Sequence, residues 1–357
     1  MDYGTEHQHP SRPAPPGLHV TLVTGLRADA RMLVCQRLAG ATAGVAGSPS
    51  SAPDVEIAED TEDSADFALV LADHLLATAR TGSSGRTVIG LEPETDQMEV
   101  AFVLETELEH QRGEGPPVEL HDLVAVVSVQ DVHRWLLSPA AAPAIDHVTA
   151  ESLASQVEFA TVVVLTDTAT APPDHLRSTL WLLRHLNPHA TVTSMPTGPL
   201  RRASSSGRGC ARRLGQRMGW MQALADADDG HALVFRDPRP FHPERLFEAV
   251  RHDLVPHRVG RIARSRGLVQ LATRAGQYGS WRSAGDTVSF DPSGISSWDP
   301  DAPVGQELVF FGEDLERDHV VTALQACLLT DEELLAGPPA WAAFADPFPV
   351  WPAQHHH

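Results

Sequence analysis

The residues of this chain best placed to do chemistry run from Gly25 to Met32. An apolar segment, His19-Val-Thr-Leu-Val-Thr24, leads into Gly25-Leu-Arg-Ala-Asp-Ala-Arg-Met32, and an amphipathic helix follows to Leu38. Strand, tight loop and helix, in that order, form the cradle in which backbone N–H groups and a helix N-terminus surround a phosphate. A working cradle reads G-x4-G-K-[ST]. Here Gly25 keeps the first glycine, but Ala30 stands for the second, Arg31 for the lysine and Met32 for the magnesium-binding hydroxyl. The chain contains no lysine at all, so no other ammonium group can substitute. Where a left-handed glycine is needed, a Cβ costs about 1–2 kcal/mol and crowds the incoming phosphate. The planar fork of arginine does not fit where a slim ammonium reaches between phosphates. A thioether is a poor ligand for Mg²⁺, which demands hard oxygen. The pattern predicts a cradle shape whose phosphate chemistry is lost, with residual anion binding at the helix N-terminus as the alternative.

Other groups invite weighing. Glu92, Glu94 and Asp96 have the spacing of carboxylates paired for acid–base work, or of a solvated acidic loop. Among 19 histidines, His7 and His9 form an H-x-H pair and His355, His356 and His357 end the chain. Imidazoles so placed bind Zn²⁺ or Ni²⁺ when two tails converge. Arg201, Arg202, Arg208, Arg212 and Arg213 make one dense basic stretch, suited to RNA phosphates or to balancing an acidic protein as a solvated linker. Three cysteines, Cys35, Cys210 and Cys327, form no C-x-x-C pair, which argues against a disulfide framework and for a reducing cytosol.

The elements that must position these residues follow from periodicity. The formal net charge is −20, with 27 arginines against 47 acids, which excludes broad binding to DNA or anionic membrane. No apolar run reaches the ~18–20 residues of a membrane span, and no signal-peptide h-region is present, so a cytoplasmic protein is expected. Leu123-Val-Ala-Val-Val-Ser-Val129 and Thr161-Val-Val-Val-Leu165 read as strands buried on both faces. Thr87–Leu91 and Ala190–Thr193 read as shorter strands. Helical spacing over Ser64–Arg80, Asp96–His110, Val129–Leu137, Ala150–Phe159 and His175–Leu186 alternates with them, which predicts a parallel α/β sheet. After the basic stretch the texture changes to an α+β domain. Strands are expected at Ala232–Phe235, Gly267–Ala272, Thr287–Phe290 and Glu307–Phe311, with helices at Pro243–Leu254 and Arg317–Cys327. The domains expected are a disordered tail over 1–17, the α/β domain over 18–195, a linker over 196–231, the second domain over 232–335, and a Pro/Trp/His tail over 336–357.

The second domain carries a family resemblance. Phe235-Arg-Asp-Pro-Arg-Pro-Phe-His-Pro-Glu-Arg-Leu246, Arg264-Ser-Arg-Gly267, Leu271-Ala-Thr273, Gly279-Ser-Trp-Arg-Ser-Ala-Gly285, Gln306-Glu-Leu-Val-Phe-Phe-Gly-Glu313 and Ala326-Cys-Leu-Leu-Thr-Asp-Glu-Glu-Leu334 resemble, in order, the C-terminal domain of CobW-like proteins. Glu158–Leu165 and Leu186-Asn-Pro-His-Ala190 resemble segments of that family's GTPase domain. The resemblance implies a P-loop NTPase-like parallel sheet, a smaller α+β CobW C-terminal domain, and a metallochaperone role in zinc or cobalt homeostasis. Against the family's G-x-x-G-x-G-K-T-T, Ala28 and Ala30 replace the later glycines. Where the family carries N-K-x-D for guanine, Thr166-Asp167-Thr-Ala169 stands, and its C-x-C-C metal motif has no counterpart between Cys35 and Cys210. The switch segment is reduced to Ile89-Gly-Leu-Glu-Pro93.

The degenerate nucleotide-site candidates are therefore Gly25, Arg31, Met32, Thr166 and Asp167, and no catalytic residue is assigned. The expectation is a metal-homeostasis protein in which GTP and Mg²⁺ are doubtful ligands and zinc a candidate one. It acts on a protein partner, a metal-requiring client or a ribosome-associated factor. Two alternatives stand: an active GTP-dependent zinc metallochaperone, and a ribosome-recruited factor that uses the basic linker.

Overall fold

The computed structural model describes residues 17–40, 63–111, 116–137, 147–194, 232–285, 287–298 and 304–351. Its first unit is a five-stranded sheet with strand order β2-β1-β3-β4-β5, in which every pairing is parallel. The strands are β1 (Leu18–Thr24), β2 (Gly85–Gly90), β3 (Val118–Ser128), β4 (Val162–Thr166) and β5 (Thr191–Ser194). Helices α1 (Ala28–Gly40), α2 (Ser64–Arg80), α3 (Gln97–His110), α4 (Val129–Val132), α5 (His147–Phe159) and α6 (Pro173–Leu186) connect them.

Side chains alternate across each strand with period two. In β1, Val20 and Leu22 join the core under α2 and α3, whereas Val23 packs with Val34 and Leu38 of α1 on the other face. In β3, Val124 and Val126 go with α1, while Ala125 and Val127 join the core built by α5 and α6. Burial on both faces is why these central strands read as unbroken apolar runs.

The second unit is an antiparallel sheet with order β6-β10-β7-β8-β9. It comprises β6 (Ala232–Asp237), β7 (Arg261–Val269), β8 (Gln277–Ala284), β9 (Thr287–Ser296) and β10 (Gln306–Glu313). Helices α7 (Pro243–His252) and α8 (Arg317–Cys327) cover one face, over Leu308, Phe310 and Trp281. The other face lies on the first unit, where Ala284, Val309 and Phe311 share a core with Leu153, Val157 and Leu182.

Three expectations shift. The strand expected at Gly267–Ala272 runs instead from Arg261 to Val269; Leu271 makes only an isolated bridge, and Ala272 starts a single 3-10 turn. Arg264 and Arg266, buried in this strand, hid its apolar alternation. Helix Val129–Leu137 is α-helical only to Val132, and His133–Leu137 forms a π turn.

The third shift concerns the C-terminal stretch expected as a tail, whose described part is packed down. Thr330 and Glu333 form a reciprocal capping box at α9 (Asp331–Ala336), and α10 (Pro338–Trp341) follows. Phe348 stacks edge-on against Phe247 at 5.6 Å, and Asp346 accepts from Arg274 Nε at 2.9 Å. Through Trp351 these residues belong to the second unit's fold.

Candidate functional site

Open α/β sheets bind ligands at the carboxyl ends of their strands. At that edge, α1 begins at Ala28, directly after the loop Gly25-Leu-Arg27. Gly25 is fixed by close approach to β3: a Cβ there would lie 2.6 Å from the Val126 carbonyl oxygen. That contact gives the glycine a packing reason independent of any phosphate.

Arg31, in the first turn of α1, is 5% exposed and turned inward. Its Nη1 donates to the Gly25 carbonyl at 2.7 Å and its Nη2 to Glu92 Oε2 at 2.8 Å. The guanidinium thus lies over the strand–helix corner, bound to the chain itself. Arg27 crosses to α4 and grips Asp131 with two parallel bonds, Nε to Oδ2 at 2.8 Å and Nη2 to Oδ1 at 2.9 Å. That pairing, against a smaller opposing effect of burial, holds the Arg27 guanidinium above its ordinary range.

Asp167 directly follows β4 with a left-handed backbone, φ +50°. Its carboxylate accepts from Ser128 Oγ at 2.9 Å, from the Val129 N–H at 2.9 Å and from the Gln130 N–H at 3.2 Å. It serves α4 as an anion at a helix N-terminus. Thr166 is 9% exposed, with its hydroxyl 3.4 Å from the Val127 carbonyl and 3.3 Å from Asp167 Oδ1. Met32 is 59% exposed on the outside of α1.

The structure therefore gathers Gly25 and Arg31 at the β1–α1 corner, ties Asp167 and Thr166 into the β3–β4 corner, and leaves Met32 facing solvent. The acidic trio does separate work: Glu92 pairs with Arg31, Glu94 is exposed, and Asp96 caps α3 through the Met98 and Glu99 N–H groups. Burial pushes the Cys35 thiol up to about 11 and the Cys327 thiol up to about 12, against the nearby Arg31 and Arg245, as expected of small core residues. His7, His9, His355, His356, His357, Arg201, Arg202, Arg208, Arg212 and Arg213 lie outside the described residues. Among the described residues, no group of three or more His, Cys, Asp or Glu is arranged to hold a metal ion.

Sequence reasoning missed Arg27, Ser128 and Asp131. The signal was available: Ser128-Val-Gln-Asp131 is a serine at a strand end followed three residues later by an acid, a helix-start pattern. It also missed Asn187, whose Nδ2 donates to the Val157 and Ala160 carbonyls, both at 2.8 Å, and closes the end of α5. Asp167→Ala is expected to lower the unfolding free energy by about 1–2 kcal/mol, because it orphans two N–H groups and adds left-handed strain. Asp167→Asn, which tolerates that backbone and keeps one acceptor oxygen, is expected to cost less than half as much in urea titrations.

Residues 231–328 match the cobalamin synthesis protein cobW C-terminal domain. The second unit is CobW-like. Its sheet with α7 and α8 matches the CobW C-terminal domain, whereas the first unit is a five-stranded parallel sheet with helices. A zinc chaperone of Mycobacterium tuberculosis is 26% identical over 334 residues, 82% of this chain and 80% of that one. The zinc-regulated GTPase metalloprotein activator 1 of Dictyostelium discoideum is 24% identical over 226 residues, 55% of this chain. The aligned part spans about half of that relative, 47%. Among solved structures, the Zn(II)-bound YjiA GTPase of E. coli overlays 88% of this chain and 99% of its own, at 15% identity and a TM-score of 0.36. No helix among the described residues is long and apolar enough to cross a membrane.

Proposed function

We propose that this chain is a metal-homeostasis protein of the CobW type that has given up GTP binding and hydrolysis and acts by binding a protein partner. One observation carries this reading: Arg31, at the position of the phosphate-gripping lysine, is buried and spends its donors on Gly25 and Glu92. A triphosphate would have to break both bonds and would meet Ala28 and Ala30 where close approach needs glycine. Beside it, Arg27 and Asp131 neutralise each other, and the Asp167 carboxylate is engaged by α4 instead of facing a base. The names of the zinc chaperone and the zinc-regulated activator support zinc as the metal concerned. Zinc here is cargo or signal. The described residues offer it no ligand set, so His7, His9 and His355–His357 are its candidate contacts and no step is assigned to it.

The test is direct. Purified protein with magnesium-GTP is expected to give no phosphate release above buffer and no rise in melting temperature up to millimolar nucleotide. A dose-dependent rise, which tight binding to the native state requires, or sustained turnover would overturn the reading.

A further inference from the structure

Strand β7 turns two arginines, Arg264 and Arg266, toward the first unit, where both meet Glu158 of α5. Across the sheet, Arg264 is in register with Ala284 and Phe311, and Arg266 with Arg282 and Val309. A row of three arginines therefore lies among apolar neighbours on the face that meets α5. Arg264 is 2% and Glu158 3% exposed. The pairing is dense. Arg264 Nε donates to Glu158 Oε1 at 3.0 Å, and Nη2 to Glu158 Oε2 at 3.2 Å and to Glu151 Oε1 at 3.0 Å. Its Nη1 donates to Glu151 Oε2 and to the Ser283 carbonyl, the latter at 3.2 Å. All five guanidinium N–H groups are thereby used. Arg266 Nη1 lies 2.7 Å from Glu158 Oε1, and Arg282 bridges Asp291 at 2.8 Å and Glu151 at 3.9 Å. Three cations face three carboxylates, so the cluster is electrically balanced.

We propose that this cluster is an orientation lock that fixes the CobW C-terminal sheet on the α/β unit, so that the two open as one body. The apolar part of the contact, Val309 and Phe311 against Leu153 and Val157, favours burial but is non-directional. Bidentate arginine–carboxylate pairs are directional and admit one register. Sliding β7 against α5 would leave buried charges without partners, which is far costlier than losing apolar contact. Burial works against the Arg264 charge, yet Glu158 and Glu151 outweigh it and hold the guanidinium above its ordinary range. Asn187 sets the acidic side, because it pins the Val157 and Ala160 carbonyls that flank Glu158.

Hydrogen–deuterium exchange read by mass spectrometry along a urea series separates the two units, since β3 and β10 lie in different peptides. In the native chain, the β3 and β10 amides are expected to lose protection at one shared midpoint. Arg264→Leu is expected to split that midpoint in two. Glu151→Gln, at the half-buried rim, should split it less and serves if the first variant fails to fold. In Arg264→Leu/Glu158→Leu, which also strips Arg266 of its carboxylate, the midpoints should stay apart. Distinct midpoints in the native chain would overturn the proposal, and so would variants that lower both midpoints together. A double variant that restores one shared midpoint would reduce the cluster to a stabilising contact and overturn it equally.

Discussion

Arg31→Ala is expected to cost about 2 kcal/mol of unfolding free energy, the worth of a lost buried stem and a buried carbonyl left without its donor. It is expected to change nothing in the response to GTP. The two statements together separate this site from a working cradle. In a working cradle the cation waits for phosphate, and removing it abolishes nucleotide affinity at little cost to the empty fold. Here the guanidinium is already spent. Its bond to the Gly25 carbonyl is internal, and its side chain is 6% exposed, so water cannot replace what is removed. The Glu92 carboxylate is 61% exposed, and that half of the interaction is screened. Glu92→Gln should therefore lose no more than about 0.5 kcal/mol, within the range of surface ion pairs. Urea titration of both variants, with and without magnesium-GTP, checks the ordering. An Arg31→Ala variant as stable as its parent would mean that Arg31 holds nothing in place.

The parallel sheet was legible because its signal is simple. Leu123–Val127 and Val162–Leu165 are apolar without interruption, and only a strand with both faces covered needs that. The six segments that resemble the CobW C-terminal domain also pointed to the second unit, where residues 231–328 match that domain. What escaped reading was structure held by polar side chains. Strand β7 carries Arg261, Arg264 and Arg266, which look like a solvated run, and the burial of Arg264 and Arg266 depends on Glu151 and Glu158, about a hundred residues away in sequence. Strand β8 is rich in Gly, Ser and Arg, yet Tyr278, Trp281 and Ala284 are buried within it. At the site, the altered cradle residues could be read one by one. That Arg31 folds back on Gly25, and that Asp167 caps α4, are consequences of strands β1, β3 and β4 being neighbours, which no local pattern encodes.

Trp281→Ala should be among the most damaging single substitutions considered, at about 3–5 kcal/mol, the range for truncating a large buried aromatic. The stability of a typical domain is only about 5–15 kcal/mol, so this loss is a large share of it. Trp281 is 1% exposed and sits in the core with Phe241, Leu246, Phe290 and Leu324. It is in register with Gly267 of β7, where no side chain could fit because a Cβ would collide with the Glu307 carbonyl. Trp281 therefore fills, from β8, a space that β7 must leave empty. Its indole Nε1 donates to Ser265 Oγ at 2.8 Å, and Ser265 and Ser283 share a hydroxyl–hydroxyl bond of 2.5 Å. Trp281→Phe keeps most of the volume and loses that donor, so about 1–2 kcal/mol is expected. The two serines flank the arginine row: Ser265 lies between Arg264 and Arg266, and Ser283 follows Arg282. A ring that positions their backbones from beneath also positions the guanidinium groups above. In hydrogen exchange, Trp281→Ala should expose β8 and β10 amides first and β1 and β3 amides only with more urea, because without the ring the guanidinium row that joins the two units is no longer held in place. If Trp281→Ala lost no more than Trp281→Phe, the ring would not be the wedge that this sheet is built around.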